Sequence, residues 1–359
     1  MNYILSLLLS LLSWANVWRR RRLIFPIDGT SSVQECTRNT DFKLGDTTAK
    51  LAMWVYSPST PDEKGPMTPL PESLRMKQVH RTTKDSPLQW AIVTSDDTVY
   101  VVFKGSDRPT DILIVNSAIA PIHAFHDKSI VVHGGAWNAL HSYRDMVTDN
   151  IKGILKAAIA DKPSINVVLC GHSLGGAYAI LCALELLHGD EGVKVDHVIG
   201  HGAPQVIEPN TANKVWNELN LITTIYINEY DVVPRLPSCH KEWRETLKKG
   251  PQKPLSRFIQ IHGHALSDTE STWQMFERLD RFRHVGKLVF TARNESGITN
   301  YRVHDAIAPD GTDGHGWDVL RKPPAWSGTF IIENHNEYPQ VLHSLLQART
   351  PVEECTQFL

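Results

Sequence analysis

Cysteine is scarce in this chain, with five in 359 residues, and the odd count leaves at least one thiol outside any disulfide framework. Neither sign of charge dominates. Lys and Arg total 37 against 39 for Asp and Glu, a formal net charge of −2, which removes the electrostatic argument for a nucleic-acid partner. No RNA- or DNA-binding motif is present either. Seventeen histidines are plentiful, yet they show no metal-ligand spacing, so the reading requires no metal and no other cofactor. Ten tryptophans are scattered, with no internal repeat. Long hydrophobic runs are absent but for one, at the amino terminus. What remains, 42% hydrophobic and 21% charged residues, is the composition of a soluble globular protein.

The exception is Tyr3 to Trp18, which carries no charge and runs directly into Arg19 to Arg22. Sixteen residues is short for a spanning helix, which needs about 20. It suits a signal-peptide core, and Ser13 and Ala15 are spaced like a cleavage site. Against cleavage, no basic side chain precedes the run and four arginines follow it. Trp14 and Trp18 beside that cluster fit an interfacial anchor. Residues 1–25 are therefore expected to be a retained membrane anchor, with secretion after signal cleavage as the alternative. Residues 26–359 are expected to hold one domain. Cys36 and Cys355, near the ends of that domain, would be bridged only in an oxidising compartment. Asn294-Glu295-Ser296 is a lone glycosylation sequon too common to weigh.

The most informative stretch is Ile165 to Leu187, INVVLCGHSLGGAYAILCALELL. A run of β-formers ends at Cys170, and an apolar, alanine-rich segment of helical length follows Gly176. Between them, Gly171-His172-Ser173-Leu174-Gly175 is G-x-S-x-G in strand–turn–helix context, the signature of a nucleophile elbow. A serine on so tight a turn is pushed into strained backbone angles, and the neighbouring glycines remove side chains that would collide with strand and helix. The helix start directs free N–H groups at the same point, which favours a developing oxyanion. Cys170 and Cys182 belong to this strand and helix and read as buried core.

Elsewhere, Gln89 to Thr94 and Thr98 to Lys104 flank a polar turn and read as a hairpin. Ile130 to His133 is a short strand, and Gly134 to Ala160 has the spacing of one long helix. His197 to Ile199 is a strand, Asn213 to Leu219 a helix and Ile222 to Asn228 a strand. Ser57 to Pro71, with five prolines, is a surface loop. Residues 238–283 are a charged insertion, with an amphipathic helix possible over Asp268 to Phe282. Strands alternating with helices imply an α/β fold, a mostly parallel central sheet covered by helices on both faces.

An acyl-transfer serine needs a base, an orienter for that base and donors for the oxyanion. Asp231 directly follows a clear strand downstream of the elbow, where the α/β-hydrolase order of Ser, Asp, His expects the acid. His335 follows a β-rich run and precedes the final helix, which suits the base. On position alone His304, His315 and His343 stay open beside it.

Several motifs, in order, resemble the class 3 lipase family. Val102-Phe103-Lys104-Gly105-Ser106 is similar to its F-R-G-[TS] oxyanion strand, with Asp111 and Asn116 at its acidic and amide positions. Val132-His133-Gly134-Gly135 with Ala139 resembles a V-H-x-G-F-x-x-A helix start. Gly202-Ala203-Pro204-Gln205-Val206 resembles G-[AS]-P-R-V, Asp231-Val232-Val233-Pro234 the D-x-V-P motif, and His335 with Tyr338 the family's H-x-x-Y. Lys104, Ile112 and Ala136 depart from the usual Arg, Trp and Phe.

The resemblance implies an α/β-hydrolase fold and a lipase with Ser173, Asp231 and His335 as its catalytic residues. It implies oxyanion donors from Ser106 and Leu174, and elbow positions Gly171, His172 and Gly175. It also implies a lid within residues 107–128, where Asp111 to Phe125 is mostly apolar, opening at a membrane or lipid-droplet surface. The substrate expected is an acylglycerol ester. A phospholipase A1 or galactolipase, or a lipid acyltransferase, on the same residues stays open.

Overall fold

The computed structural model describes residues 42–57, 74, 78–81, 88–106, 121–126, 128–141, 147–188, 193–228, 231, 233–235, 280–293, 299–307, 312–314, 316, 320 and 338–348. Its centre is an eight-stranded sheet. In chain order the strands are β1 (Gln78–Arg81), β2 (Trp90–Thr94), β3 (Thr98–Phe103), β6 (Asn166–His172), β7 (His197–His201), β8 (Thr223–Asn228), β9 (Lys287–Arg293) and β10 (Thr299–Asp305). They lie in that same order across the sheet. The run from β3 through β6, β7 and β8 to β9 is parallel, while β1–β2–β3 and β9–β10 are antiparallel. A separate two-stranded ribbon pairs β4 (Pro121–His123) with β5 (Val131–His133).

The mixture follows from the sequence. Central strands are apolar on both faces and read as unbroken runs, as in Thr98–Phe103, where every residue is buried. Their alternation sorts the core into two halves. Val99, Val101 and Phe103 of β3, with Val167 and Leu169 of β6, face one cluster. Tyr100, Val102, Val168 and Cys170 face the other. The first is covered by helices α2 (Gly134–His141), α3 (Val147–Asp161), α4 (Leu174–His188) and α5 (Lys214–Ile222). The second is covered by α1 (Phe42–Trp54) and the final helix α6 (Tyr338–Ala348). Helix α4 buries nearly its whole circumference, which explains its lack of a polar stripe.

Most expected elements lie where the patterns put them, with several differences. The segment read as one helix from Gly134 is described as two, Gly134–His141 and Val147–Asp161. Each buries its own set, Trp137 and Leu140 in one, Val147, Ile151 and Leu155 in the other. The far end of the expected insertion also belongs to the core. Phe282 is fully buried beside His133, with ring centroids 5.8 Å apart, and the Arg283 amide donates to the Ile207 carbonyl at 2.9 Å. That bridge leaves residues 280–283 no freedom to continue a helix. Asn213 is the N-cap of α5 and not its first turn, its side chain accepting from the Trp216 amide at 3.1 Å. Cys170 and Cys182 are buried free thiols, as their place in strand and helix requires. Among the described residues no helix is long and apolar enough to cross a membrane. Residues 3–18, Cys36, Cys355 and most of the expected lid and insertion lie outside the described residues.

Candidate active site

The carboxyl ends of the parallel strands collect the chemistry, as open α/β sheets require. Strand β6 ends at His172 and helix α4 begins at Leu174, so Ser173 alone makes the turn. It does so with φ of 58°, a left-handed conformation that a residue with a side chain reaches at a cost of about 1–2 kcal/mol. The surroundings enforce it. The Ser173 amide donates to the His201 carbonyl at 2.8 Å, and the Ser173 carbonyl accepts from Gly176 at 3.0 Å. A Cβ at Gly171 would overlap the Gly175 backbone, and one at Gly175 would overlap the Phe103 carbonyl oxygen. Strand, turn and helix can therefore approach only with glycine on both sides. Ser173 itself stays half-buried. Leu174, as the first helical residue, has an N–H with no intrahelical acceptor.

Asp231 lies three residues beyond β8 and is fully buried. Its Oδ1 accepts from the Val233 amide at 2.9 Å, and its Oδ2 accepts from the Tyr338 hydroxyl at 2.7 Å. The Tyr338 hydroxyl in turn accepts from the Asn228 amide at 3.1 Å. Burial, then the charge and hydrogen bond of Asp231, push the Tyr338 hydroxyl well above its ordinary pKa, so it stays a donor. Gly202, at φ +62°, opens the space: a Cβ there would stand 2.7 Å from Asp231 Oδ2 and 2.9 Å from the Tyr338 hydroxyl.

On the other side, Ser106 follows β3 and is half-buried. The preceding Gly105 lies against the elbow, since a Cβ there would stand 3.1 Å from Ser173 Cβ. Lys104, the departure from arginine, donates through Nζ to Gln89 Oε1 at 2.7 Å, and its amide donates to the Gln89 carbonyl at 3.0 Å. His335 lies outside the described residues, but Tyr338, three residues along, is anchored on Asp231. Two of the rival histidines are engaged elsewhere. His304 sits on the outermost strand β10 with its ring edge-on to Phe290, and His343 of α6 faces Asp46 of α1. His315 also lies outside the described residues.

The supports of the site went unread in the sequence: Gln205 figured there only within its motif, and His284, Arg235 and Tyr56 not at all. Gln205 Nε2 and His284 Nε2 both donate to the Pro234 carbonyl, at 3.0 and 2.7 Å, and the Arg235 guanidinium donates to the Asp231 carbonyl. Together they fasten the loop that carries Asp231. Burial lowers the His284 pKa to about 4, so it is a neutral donor. Tyr56, at the end of α1, brings its hydroxyl 3.3 Å from His172 Nδ1. No motif marks His284, Arg235 or Tyr56: His284 and Tyr56 meet partners 50 and 116 residues away, and Arg235 lies one residue past the D-x-V-P stretch. Among the described residues no cluster of His, Cys, Asp or Glu is arranged to hold a metal ion.

Residues 100–241 match the family Lipase (class 3). A lipase of Rhizomucor miehei is 33% identical over 145 residues, 40% of this chain and 38% of that protein. The chloroplastic phospholipase A(1) DAD1 of Arabidopsis thaliana is 31% identical over 108 residues, 30% of this chain and 24% of that protein. The matched stretch thus spans less than half the length of either relative. Among solved structures, a triacylglycerol lipase whose catalytic centre is formed by a serine-protease triad superposes with a TM-score of 0.53 at 20% identity, covering 82% of this chain and 92% of the other. That likeness extends the shared α/β-hydrolase fold well past the matched segment.

Proposed function

We propose that this chain, which belongs to the class 3 lipase family through residues 100–241, is a serine-dependent lipase that cleaves carboxylic esters of acylglycerols. The observation that carries the reading is Ser173, held at φ 58° between β6 and the start of α4, with a buried, hydrogen-bonded carboxylate at Asp231 two strands away. In this mechanism His335 takes the Ser173 proton as its oxygen attacks the ester carbonyl. Asp231 orients the imidazole and stabilises its charged form. His335 stands three positions before the anchored Tyr338, a reach of at most about 10 Å, so the chain can present the ring to Asp231. The Leu174 amide and Ser106, through its amide and hydroxyl, stabilise the tetrahedral oxyanion. The alcohol leaves with the proton held by His335, and water releases the fatty acid from the acyl-enzyme.

The enzyme works at a lipid surface, with residues 1–25 either retained as an anchor or removed as a secretion signal. A phospholipase A1 activity on the same machinery is the second reading, favoured by the likeness to the Arabidopsis protein. Hydrolysis of tri-, di- and monoacylglycerols and of phospholipids by the full chain and by Ser173→Ala tests both. Release of fatty acid from acylglycerols by the first and not the second is expected. Preference for a phospholipid sn-1 ester would select the second reading, and no ester cleavage on any substrate would end the lipase reading.

A further inference from the structure

The residue ahead of the nucleophile and the strand ahead of Ser106 are joined by a side chain from neither element. Tyr56 follows α1, and the end of that helix is pinned by main-chain bonds from Val55 to Leu51 at 3.1 Å, Tyr56 to Met53 at 3.2 Å and Ser57 to Trp54 at 2.9 Å. Its position is therefore set by the covering helix and not by the sheet. From there it reaches three parts of the site. Its hydroxyl lies 3.3 Å from His172 Nδ1, and its ring meets the His172 ring edge-on with centroids 5.9 Å apart. The Lys104 ammonium stands over its ring at 5.6 Å from the centroid. A Cβ added to Gly105 would overlap its hydroxyl, while that same Cβ would stand 3.1 Å from Ser173 Cβ. The hydroxyl is thus wedged between the Gly105 peptide and the elbow.

Resting on the hydrolase reading above, we infer that Tyr56 is a positioning residue that fixes the spacing between the oxyanion loop, Gly105–Ser106, and the nucleophile elbow, His172–Ser173. The two oxyanion donors come from different strand ends, β3 and β6, whose pairing stops at Phe103 and Gly171. Beyond it the loops touch backbone to backbone at Gly105 and Gly175, and Tyr56 adds a side-chain tie from outside the sheet. Its hydroxyl donates to His172 Nδ1 when the imidazole carries its proton on Nε2, which selects that tautomer. Its ring face receives the Lys104 ammonium, whose Nζ is held at the other side by Gln89. The departure from arginine becomes intelligible here. A compact ammonium hydrogen-bonds Gln89 and faces the ring together. Gly105 is glycine because the Tyr56 hydroxyl and the His172 carbonyl oxygen together take the space of its side chain.

The test compares wild type with Tyr56→Phe, which keeps the ring under Lys104 and removes only the hydroxyl. On a soluble short-chain p-nitrophenyl ester, kcat is expected to fall about tenfold with KM within about twofold, since an oxyanion donor out of place costs rate more than binding. The melting curve should be little changed. Nitrogen NMR of the His172 imidazole should move from a single Nε2-protonated tautomer towards a mixture. Tyr56→Leu, which also removes the ring from Lys104, should lose more rate. A Tyr56→Phe kcat equal to wild type, or a rate loss matched by a lower melting point and regained on cooling, would overturn the inference. So would an unaltered His172 spectrum. If neither wild type nor Ser173→Ala cleaves any ester, the hydrolase reading fails, and the His172 spectrum still decides whether Tyr56 holds the elbow.

Discussion

Replacing Tyr338 by Phe isolates what holds the buried carboxylate. The ring of Tyr338 is 1% exposed and packs in the same cluster as Phe42 and Tyr226, so Phe preserves the packing. What is lost is one hydrogen bond to a charged acceptor, Asp231 Oδ2, and one from the Asn228 amide. The first is worth about 1.5–3 kcal/mol and the second about 1 kcal/mol, giving a destabilisation of about 3 kcal/mol. In a domain larger than 150 residues each kcal/mol moves the midpoint by about 2–4 °C, so melting should drop by roughly 6–12 °C. The variant also has a pH signature. Burial, with Asp231 beside it, raises the Tyr338 pKa well above 10, so the folded protein keeps a proton that the unfolded chain gives up. The stability from this group is complete below about pH 10 and falls above it, by up to about 1.4 kcal/mol per pH unit. Phe carries no such proton. Urea unfolding followed by far-UV circular dichroism from pH 8 to 11 should show wild type losing stability faster than Tyr338→Phe above pH 10. Equal alkaline slopes, or an unchanged midpoint at pH 8, would refute the role given to the hydroxyl.

Other outcomes follow from single contacts. Gly175→Ala should cost several kcal/mol or abolish soluble expression, because its Cβ meets the Phe103 carbonyl and no flexible side chain can yield. Gly153→Ala, mid-helix with nothing within 4 Å, should instead stabilise by about 1 kcal/mol in the same melting assay. His201 is buried and neutral, its pKa lowered to about 3 by burial and then by the nearby His172. Unfolding lets it charge, so stability falls as pH drops below about 6.5, and His201→Phe should flatten urea midpoints measured between pH 6.5 and 4. The half-buried His141–Glu185 pair, 3.0 Å apart, joins α2 to α4. Burial opposes charge on both, yet their mutual hydrogen bond raises the His141 pKa and lowers that of Glu185. Its contribution, under about 1 kcal/mol, is complete between roughly pH 4.5 and 6.5. It is lost as pH rises through the raised His141 value or falls through the lowered Glu185 value, so His141→Gln should differ most from wild type near pH 5.5.

The parts legible in the sequence are those whose signal is local. The elbow could be read because strain, glycine spacing and strand–helix context fall within a dozen residues. The hairpin of β2 and β3 and the strands β6, β7 and β8 could be read because buried strands are apolar throughout. Asp231 was found by its place after a strand, a weaker signal that needed the chain order of hydrolases. Other elements carried little signal of their own. In α1 two lysines, Gly45 and Asp46 interrupt the apolar pattern, and Gly45 and Asp46 are buried all the same, because the helix is pressed on β8 and α6. Strand β10 is rich in Asn, Arg and Asp, as sheet-edge strands often are, and β9 has only a short apolar centre between Lys287 and Arg293, so periodicity did not separate them from the insertion before them.

The same distinction explains why the departures from the family pattern fall where they do. The elbow is held by main-chain contacts, from Ser173 to His201, Gly176 to Ser173 and Gly175 against Phe103, which no side-chain change at Lys104 or Gln205 can disturb. Gln205, standing where the motif has arginine, needs only one N–H to reach the Pro234 carbonyl, and His284 supplies a second from beyond the insertion. Lys104 needs one donor for Gln89 and a positive charge for the Tyr56 face. Each substitution preserves a single donor while giving up the fork, and each acts on a loop that carries a reacting group, not on the turn that strains the serine. Side-chain supports can therefore drift in identity where a second donor shares the acceptor. Gly171, Gly175 and Gly202 cannot, because the space they leave is already occupied by backbone or by the Asp231–Tyr338 pair.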